Sequence, residues 1–539
     1  MSVTPRLTRV RARVPAREGS GAPGDALTLD LLAGGAIARE RVAVLFQDSD
    51  SLRALGEAKR SPLAPTLAAA MLEQHQRLGA SPASIANLER LARGEAVAAV
   101  AGQQPAPLGG PLFALHKTAG TVGLAADVTR RTGLACVPLF WMHGEDSDFA
   151  EIRSVSVADA ELQVHDFQIA DGAHTDGALV GGITIDAVKA VAEPALAAWL
   201  GLPGHADAVA LWTRSIAHAR DLGEAVTALW LALFAEQGLV VVDPRLPAFR
   251  AAARPILERY LAHAAALHAA ARTAGARMEQ LTGKRALSDA SLESFVFRIE
   301  NGSRHKIAAA DALAGGAGVT LSPSVALRPA VQDGVFPTVA MACGPGEIAY
   351  LMQLREVFEG VGVKPAAPAI RFGATWLPPA ACALADAAGG DDWELITHAD
   401  AVVARLAETR VPAALHDALA EARMAVDRSL ARLADESRVL DASLPQLIES
   451  ARGKLDFQVS RLAEGVLGKA KSKLDREQPL WRRLRYVLYP GDKLQERRLS
   501  SLEPIARLGA GVVHELCEHA VEHAAKVAEG VHEHWLLEA

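Results

Sequence analysis

The 539-residue chain has only four cysteines, Cys136, Cys343, Cys382 and Cys517, and no two of them form a CxxC pair. That spacing supports neither a disulfide framework nor a zinc knuckle and fits reduced thiols. No apolar run reaches the ~18–20 residues a membrane-crossing helix needs, so no membrane partner is expected. The basic opening MSVTPRLTRVRARVPAREGSG lacks the apolar stretch of a secretory signal, and a cytoplasmic location is the expectation. Aromatic residues are scarce, at 5%, while alanine is abundant, which favours helix. There is no excess of positive charge either: 56 Lys and Arg face 63 Asp and Glu, leaving −7 with both signs interspersed. Nucleic-acid binding needs a concentrated basic surface to displace counterions, so no nucleic-acid partner is expected.

What is present centres on residues 96–153, AVAAVAGQQPAPLGGPLFALHKTAGTVGLAADVTRRTGLACVPLFWMHGEDSDFAEIR. Two short apolar runs, 97–101 and 135–141, flank one helical pattern. Near-continuous apolar runs suit parallel strands covered on both faces. A strand, crossover and parallel strand bring both strand ends to one sheet edge, where open α/β sheets bind ligands. Gln103, Gln104, Gly109 and Gly110 follow the first run; His143, Glu145, Asp146 and Asp148 follow the second. His116 and Lys117 fall in the first helical turns, where free N–H groups favour an anion. The acids could hold Mg²⁺ or serve as a general base, and a solvated acidic loop is the bland alternative. The run 338–343, leading into Gly344, Gly346, Glu347 and a helix to about Phe358, repeats this logic.

The length predicts two or three domains. Residues 1–40 read as a surface arm, and 61–93 as helix, with Ser81 capping a restart at Pro82. Beyond Ser154 come β-like runs at 154–157, 162–169 and 179–185, further helices, a buried strand at 239–242 and an alanine-rich helix over 250–282. Runs 295–299 and 304–307 around Asn301-Gly302 predict a tight hairpin. Composition over 378–392 marks a domain boundary, and helix follows. Val426, Leu430, Leu433, Leu440, Leu444 and Leu447, then Ile448, Leu455, Val459, Leu462 and Val466, form heptad-like seams of an antiparallel helical hairpin. That seam could meet a second copy or fold back on its own chain.

Several strings approach known motifs and miss them. GPLFALHKT is off by one residue from the spacing of a phosphate loop, and His116 rather than glycine precedes its Lys117-Thr118. GPGEIA has the letters of a dinucleotide turn, but Glu347 stands where the pyrophosphate would sit. HELCEH has Glu518 where a zincin needs its second histidine, although His519 and His523 share a helix face. The stretch 469–498 is locally basic, as a solvated helix face would be.

In order, AGQQPAPLGGPLFALHK (101–117), PLFWMHGEDSDFAEI (138–152), residues 239–243, residues 321–337 with Arg328-Pro329 and Gln332-Asp333, CGPGEIAY (343–350) and YPGDKLQER (489–497) resemble the BshC family of bacillithiol biosynthesis. The resemblance spans nearly the whole chain. It implies an α/β fold, with a Rossmann-like parallel-sheet core and connecting insertions over 1–380. An α-helical coiled-coil domain over 381–539, with a returning C-terminal segment, would make a homodimer. It also implies a ligase completing a low-molecular-weight thiol, by joining cysteine through its carboxyl group to the amine of glucosaminyl-malate. Amide formation from a free carboxylate needs activation, so ATP is the expected cofactor, as an acyl adenylate or acyl phosphate donor, with Mg²⁺ beside it. Carried over by motif, Glu145, Asp146, Asp148 and His116 are the expected catalytic groups. Gln103, Gln104, Gly109, Gly110, Lys117, His143, Gly344, Gly346 and Glu347 are the expected substrate contacts, and no resident metal is expected. His116 and Lys117 would take phosphoryl or malate groups, and an acidic-loop carboxylate would deprotonate the sugar amine or hold Mg²⁺. One departure stands out: Ser147 occupies the place of the histidine in the family's Gly-Glu-Asp-His-Asp loop, leaving His143 or His116 as proton carriers. Two other readings stay open: a non-catalytic nucleotide- or sugar-thiol-binding module dimerised by a coiled coil, and a nucleotidyltransferase-like enzyme using another amino acid.

Overall fold

The computed structural model describes residues 8–16, 25–283, 285–312, 319–477 and 479–539. Chain contacts divide it into two compact units, 1–376 with 492–539, and 377–491. Parts of the expected N-terminal arm, 1–7 and 17–24, lie outside the described residues. The rest of that arm is structured instead. Arg9–Pro15 is a strand paired antiparallel with Glu533–Glu538, so the two ends of the chain share a sheet. The short helices Ala26–Leu32 and Ala36–Arg41 follow, and the first buries Leu27, Leu31 and Leu32.

The first unit is built on five parallel strands in the order Ala367–Ile370, Thr338–Cys343, Val97–Gln103, Cys136–Met142 and Val240–Val242. Numbered along the chain, that order is 5-4-1-2-3, the strand order of a Rossmann-like sheet. Side chains alternate across the pleat. Leu139 and Trp141 enter one apolar layer and Phe140 and Met142 the other; Val240 and Val242 likewise oppose Val241. Both faces are covered, which is why these strands read as unbroken apolar runs. The helix Phe113–Thr132 crosses from the first strand to the second and is almost wholly buried. Its small residues admit close neighbours: a Cβ on Gly123 would stand 2.2 Å from the carbonyl oxygen of Ala520, on the helix Val512–Ala528.

Other elements follow the sequence pattern with one exception. Ser81 caps Pro82–Ala92 by accepting from Ser84 N at 3.1 Å. Val296–Glu300 and Ser303–Lys306 form the hairpin, with Asn301 and Gly302 at φ 50° and 79°, as its tight turn requires. The run 179–185 is not a strand. It holds a short 3₁₀ turn, Val180–Gly182, whose backbone N–H groups at 180 and 181 donate to the carbonyls of Asp146 and Gly144 at 2.8 and 3.0 Å. Those carbonyls belong to the acidic loop, so the segment spends its pairing capacity bracing that loop.

In the second unit, Ala413–Ser437 and Leu444–Glu477 pack as the expected antiparallel hairpin. Arg410 pairs with Glu477, Arg423 with Ser460, and Arg452 with Asp427, a descending register along the pair. Ile448 is buried, yet Leu433, Leu440, Leu447, Leu455 and Leu462 stay exposed. Among the described residues, no helix is long and apolar enough to cross a membrane.

Candidate active site

The strand order reverses direction between Val97–Gln103 and Thr338–Cys343, and ligands of open α/β sheets bind outside the strand ends at such a switch point. A cavity of about 800 Å³ opens there. From the first strand end come Gly102, Gln103 and Gln104; from the second, His143, Glu145 and Asp146; from the fourth, Gly344, Gly346 and Glu347.

The expected basic pair divides. Lys117 lines the cavity, donating from Nζ to both carboxylate oxygens of Glu347 at 2.7 and 2.8 Å and to the Gly102 carbonyl at 3.0 Å. His116 lies in the apolar interior, fully buried, bonded to Glu496 and Trp376. Neighbours on a helix point about 100° apart, and here the two side chains leave the helix toward different partners, Glu496 and Glu347.

The acids of the loop are also separated in role. Glu145 is buried and paired with Arg250 at 2.8 Å. Asp146 accepts from Gln104 Nε2 at 3.1 Å and pairs with Arg304 at 3.5 Å. Asp148 caps the short helix Phe149–Ile152, accepting from Glu151 N at 3.2 Å, and lies outside the cavity lining. Gly109 and Gly110 are outside it too; they turn the chain at φ 82° and 75°, with Gly109 against Ser501 and Leu229. Among the described residues, no group of three or more His, Cys, Asp or Glu is placed to hold a metal ion.

Burial pushes the Glu145 carboxyl above its ordinary value, against the pull of Arg250 and a hydrogen bond from Ser322. Burial, with Arg328, Lys117 and Arg304 nearby, holds His143 well below its ordinary value, so it is neutral near pH 7. Its Nε2 therefore accepts from Arg328 Nη1. Burial would raise Glu347 as well, but Lys117 and the Gly344 N–H outweigh it and keep that carboxyl low.

Arg328 donates to His143 and, from Nη2, to Tyr350 Oη at 3.1 Å. It has no carboxylate partner among the described residues. Lys117 by contrast is neutralised by Glu347, and Arg371 by Glu496. The cavity thus presents an uncompensated guanidinium together with a buried carboxylate of raised pKa, a pairing suited to an anionic substrate that must give up a proton.

Family comparison agrees with this architecture across nearly the whole chain. Residues 45–371 match the family model described as "Bacillithiol biosynthesis BshC, N-terminal Rossmann-like domain". Residues 374–527 match its companion, "Bacillithiol biosynthesis BshC, C-terminal coiled-coil domain". The chain belongs to the BshC family. A relative from Koribacter versatilis, named putative cysteine ligase BshC, is 30% identical over 473 residues, covering 84% of this chain and 87% of that protein. Relatives of the same name from Solibacter usitatus and Geobacillus kaustophilus are 30% and 27% identical over 447 and 481 residues. They cover 78% and 82% of this chain, and 82% and 85% of their own lengths.

Within this BshC chain, the structure adds cavity residues that the strand-end logic did not supply. Arg371 directly follows the apolar strand Ala367–Ile370, so the rule that found Gln103 and His143 would have found it, had that strand been read. Arg328 is a lone charge in the run Ala326-Leu327-Arg328-Pro329-Ala330-Val331, an anomaly visible in the sequence. Arg304, on the hairpin, carries no such signal. It is held by the Pro323 carbonyl at 2.6 Å and by the ring of Phe297, 3.8 Å from its Cζ.

Proposed function

We propose that this chain is the cysteine ligase of bacillithiol synthesis, forming the amide between the carboxyl group of L-cysteine and the amine of glucosaminyl-malate. Family membership supports the class of reaction. The observation that carries the site assignment is Arg328, a cavity guanidinium whose charge has no carboxylate counterpart among the described residues.

Arg328 binds a carboxylate of the malate arm, fixed in direction by His143 and Tyr350. Glu145 takes the proton lost by the sugar amine as its nitrogen attacks the activated cysteine carboxyl carbon. The C–N bond forms, the bond from that carbon to its leaving oxygen breaks, and Arg250 keeps Glu145 ionised between turnovers. Lys117 and Glu347 neutralise each other and fix the turn at Gly344. ATP, when bound, supplies the activation of the cysteine carboxyl. Glu347 occupies the start of the helix Pro345–Gln353, so Arg304 and Lys306 on the hairpin are the groups that would meet phosphates. The loop acids are engaged elsewhere, so Mg²⁺ would arrive with the phosphates rather than in a protein-built site. The work is done in the cytoplasm.

The helical hairpin is proposed as the contact of a homodimer, because Leu440, Leu447 and Leu462 remain 84%, 66% and 64% exposed after the two helices pack. Sedimentation would show a dimer that Leu447→Glu converts to monomer; a monomeric wild type overturns this.

The test of activity is turnover of glucosaminyl-malate, cysteine and ATP. Arg328→Ala should raise KM for glucosaminyl-malate, and Glu145→Gln should lower kcat. Wild-type turnover by both variants would overturn these roles. Calorimetry finding nucleotide binding but no affinity for cysteine or glucosaminyl-malate would favour a non-catalytic module.

A further inference from the structure

A second, smaller cavity of about 290 Å³ adjoins the first. Gly110 and Pro111, the strands Ser154–Ala158 and Val164–Gln168, and the segment 497–500 wall it. Glu151 and Arg497 line both cavities and so form the partition between them. Arg497 has no carboxylate partner among the described residues. Glu151 accepts from Gln104 Nε2 at 2.6 Å through Oε2, and its Oε1 accepts no hydrogen bond from the described residues. Elsewhere in its wall the charges are already settled: Arg498 donates to Asp166 at 2.5 Å and to Ser156 Oγ at 3.1 Å. What remains for a ligand is one cation and one carboxylate oxygen, both at the partition.

We infer that this second cavity is the amino-acid subsite, taking the zwitterion of a small α-amino acid with its carboxylate on Arg497 and its ammonium on Glu151. The inference rests on the ligase reading above and deepens it. The volume, about 290 Å³, lies just below the roughly 300–1,000 Å³ typical of pockets for drug-sized ligands, which suits a small amino acid. A carboxylate on Arg497 stands at the mouth of the main cavity. There the carboxyl carbon meets the amine of the other substrate, while the side chain points back between the strands toward Ser156 and Gln168. Gln104 links the two sites, since its amide donates to both Glu151 and Asp146.

The experiment is steady-state kinetics on the full chain, varying cysteine and glucosaminyl-malate separately. Arg497→Ala and the pocket-filling Ser154→Trp should each raise KM for cysteine about ten-fold or more, as loss of a charge-assisted contact does, and leave KM for glucosaminyl-malate within about two-fold. Arg497→Lys should recover part of the loss. As competitors against cysteine, cysteamine and N-acetylcysteine, each lacking one charged end, should both be weak. Thermal denaturation checks that Ser154→Trp is folded. Unchanged cysteine KM in Arg497→Ala and a folded Ser154→Trp would overturn the subsite while leaving the ligase intact. If wild type does not turn over, the ligase reading falls, and direct calorimetry with L-cysteine decides the subsite: binding abolished by Arg497→Ala keeps it, and no binding ends it.

Discussion

The Nδ1 of His116 and the carboxylate of Glu496 lie 380 residues apart in sequence and 2.9 Å apart in space, and neither side chain is exposed. The Trp376 indole, which can only donate, reaches His116 Nε2 at 3.0 Å, so the ring's proton sits on Nδ1 and is given to Glu496. Glu496 in turn takes the guanidinium of Arg371, with Nη1 at 3.1 Å, and Arg371 lines the larger cavity. His116 is a brace behind the cavity wall.

Removing Glu496 therefore leaves a buried arginine unpaired. Glu496→Ala should cost about 3–5 kcal/mol of stability, and Glu496→Gln less, because it keeps an acceptor oxygen. Denaturant unfolding measures both; a loss below about 1 kcal/mol in the alanine variant would contradict the buried pairing.

Glu145 gives a pH signature. Burial raises its carboxyl above 4.5, while Arg250 pulls it down. In the proposed role of base Glu145 must be ionised, so kcat/KM should rise with pH through a carboxyl pKa higher than usual. Arg250→Ala should move that acid limb to still higher pH. A limb that stays put in this variant would remove Glu145 from the base role.

Acid should destabilise the fold earlier than carboxylate protonation alone would. Burial lowers His523 from 6.5 to about 3 and His534 and His75 to about 4, and holds His532 well down. The unfolded chain takes up these protons near pH 6.5 and the folded one does not. Their contribution to stability is complete above about 6.5 and is lost as pH falls toward the folded values. Melting temperature against pH should decline from about 6.5 downward, and His523→Gln should flatten the decline.

Two glycines should respond oppositely to alanine. At Gly123 the new Cβ meets the Ala520 carbonyl at 2.2 Å, an overpacking that should cost about 1–3 kcal/mol. At Gly453, in the helix Leu444–Glu477, nothing lies within 4 Å, and alanine should stabilise by up to about 1 kcal/mol. Thermal melts of both variants suffice; a stable Gly123→Ala would mean the two helices are not in contact there.

Local pattern made much of the fold legible. The strands ending at Gln103 and Met142, the turn at Asn301-Gly302 and the paired helices after Pro412 all follow from periodicity, turn chemistry and apolar runs within a few residues. So did the strand-end cluster of Gln103, Gln104, His143, Glu145 and Asp146, because a parallel crossover fixes where its ends go. Tertiary structure alone decided which way a residue faced when its own segment permitted both outcomes. His116 and Lys117 are adjacent and both basic, yet one braces the core and the other lines the cavity. Their fates were set by Glu496 and Glu347, partners 380 and 230 residues away. Arg304, Arg328 and Arg371 converge on the cavity from three separate segments, and that convergence is a property of packing, on which the spacing along the chain is silent.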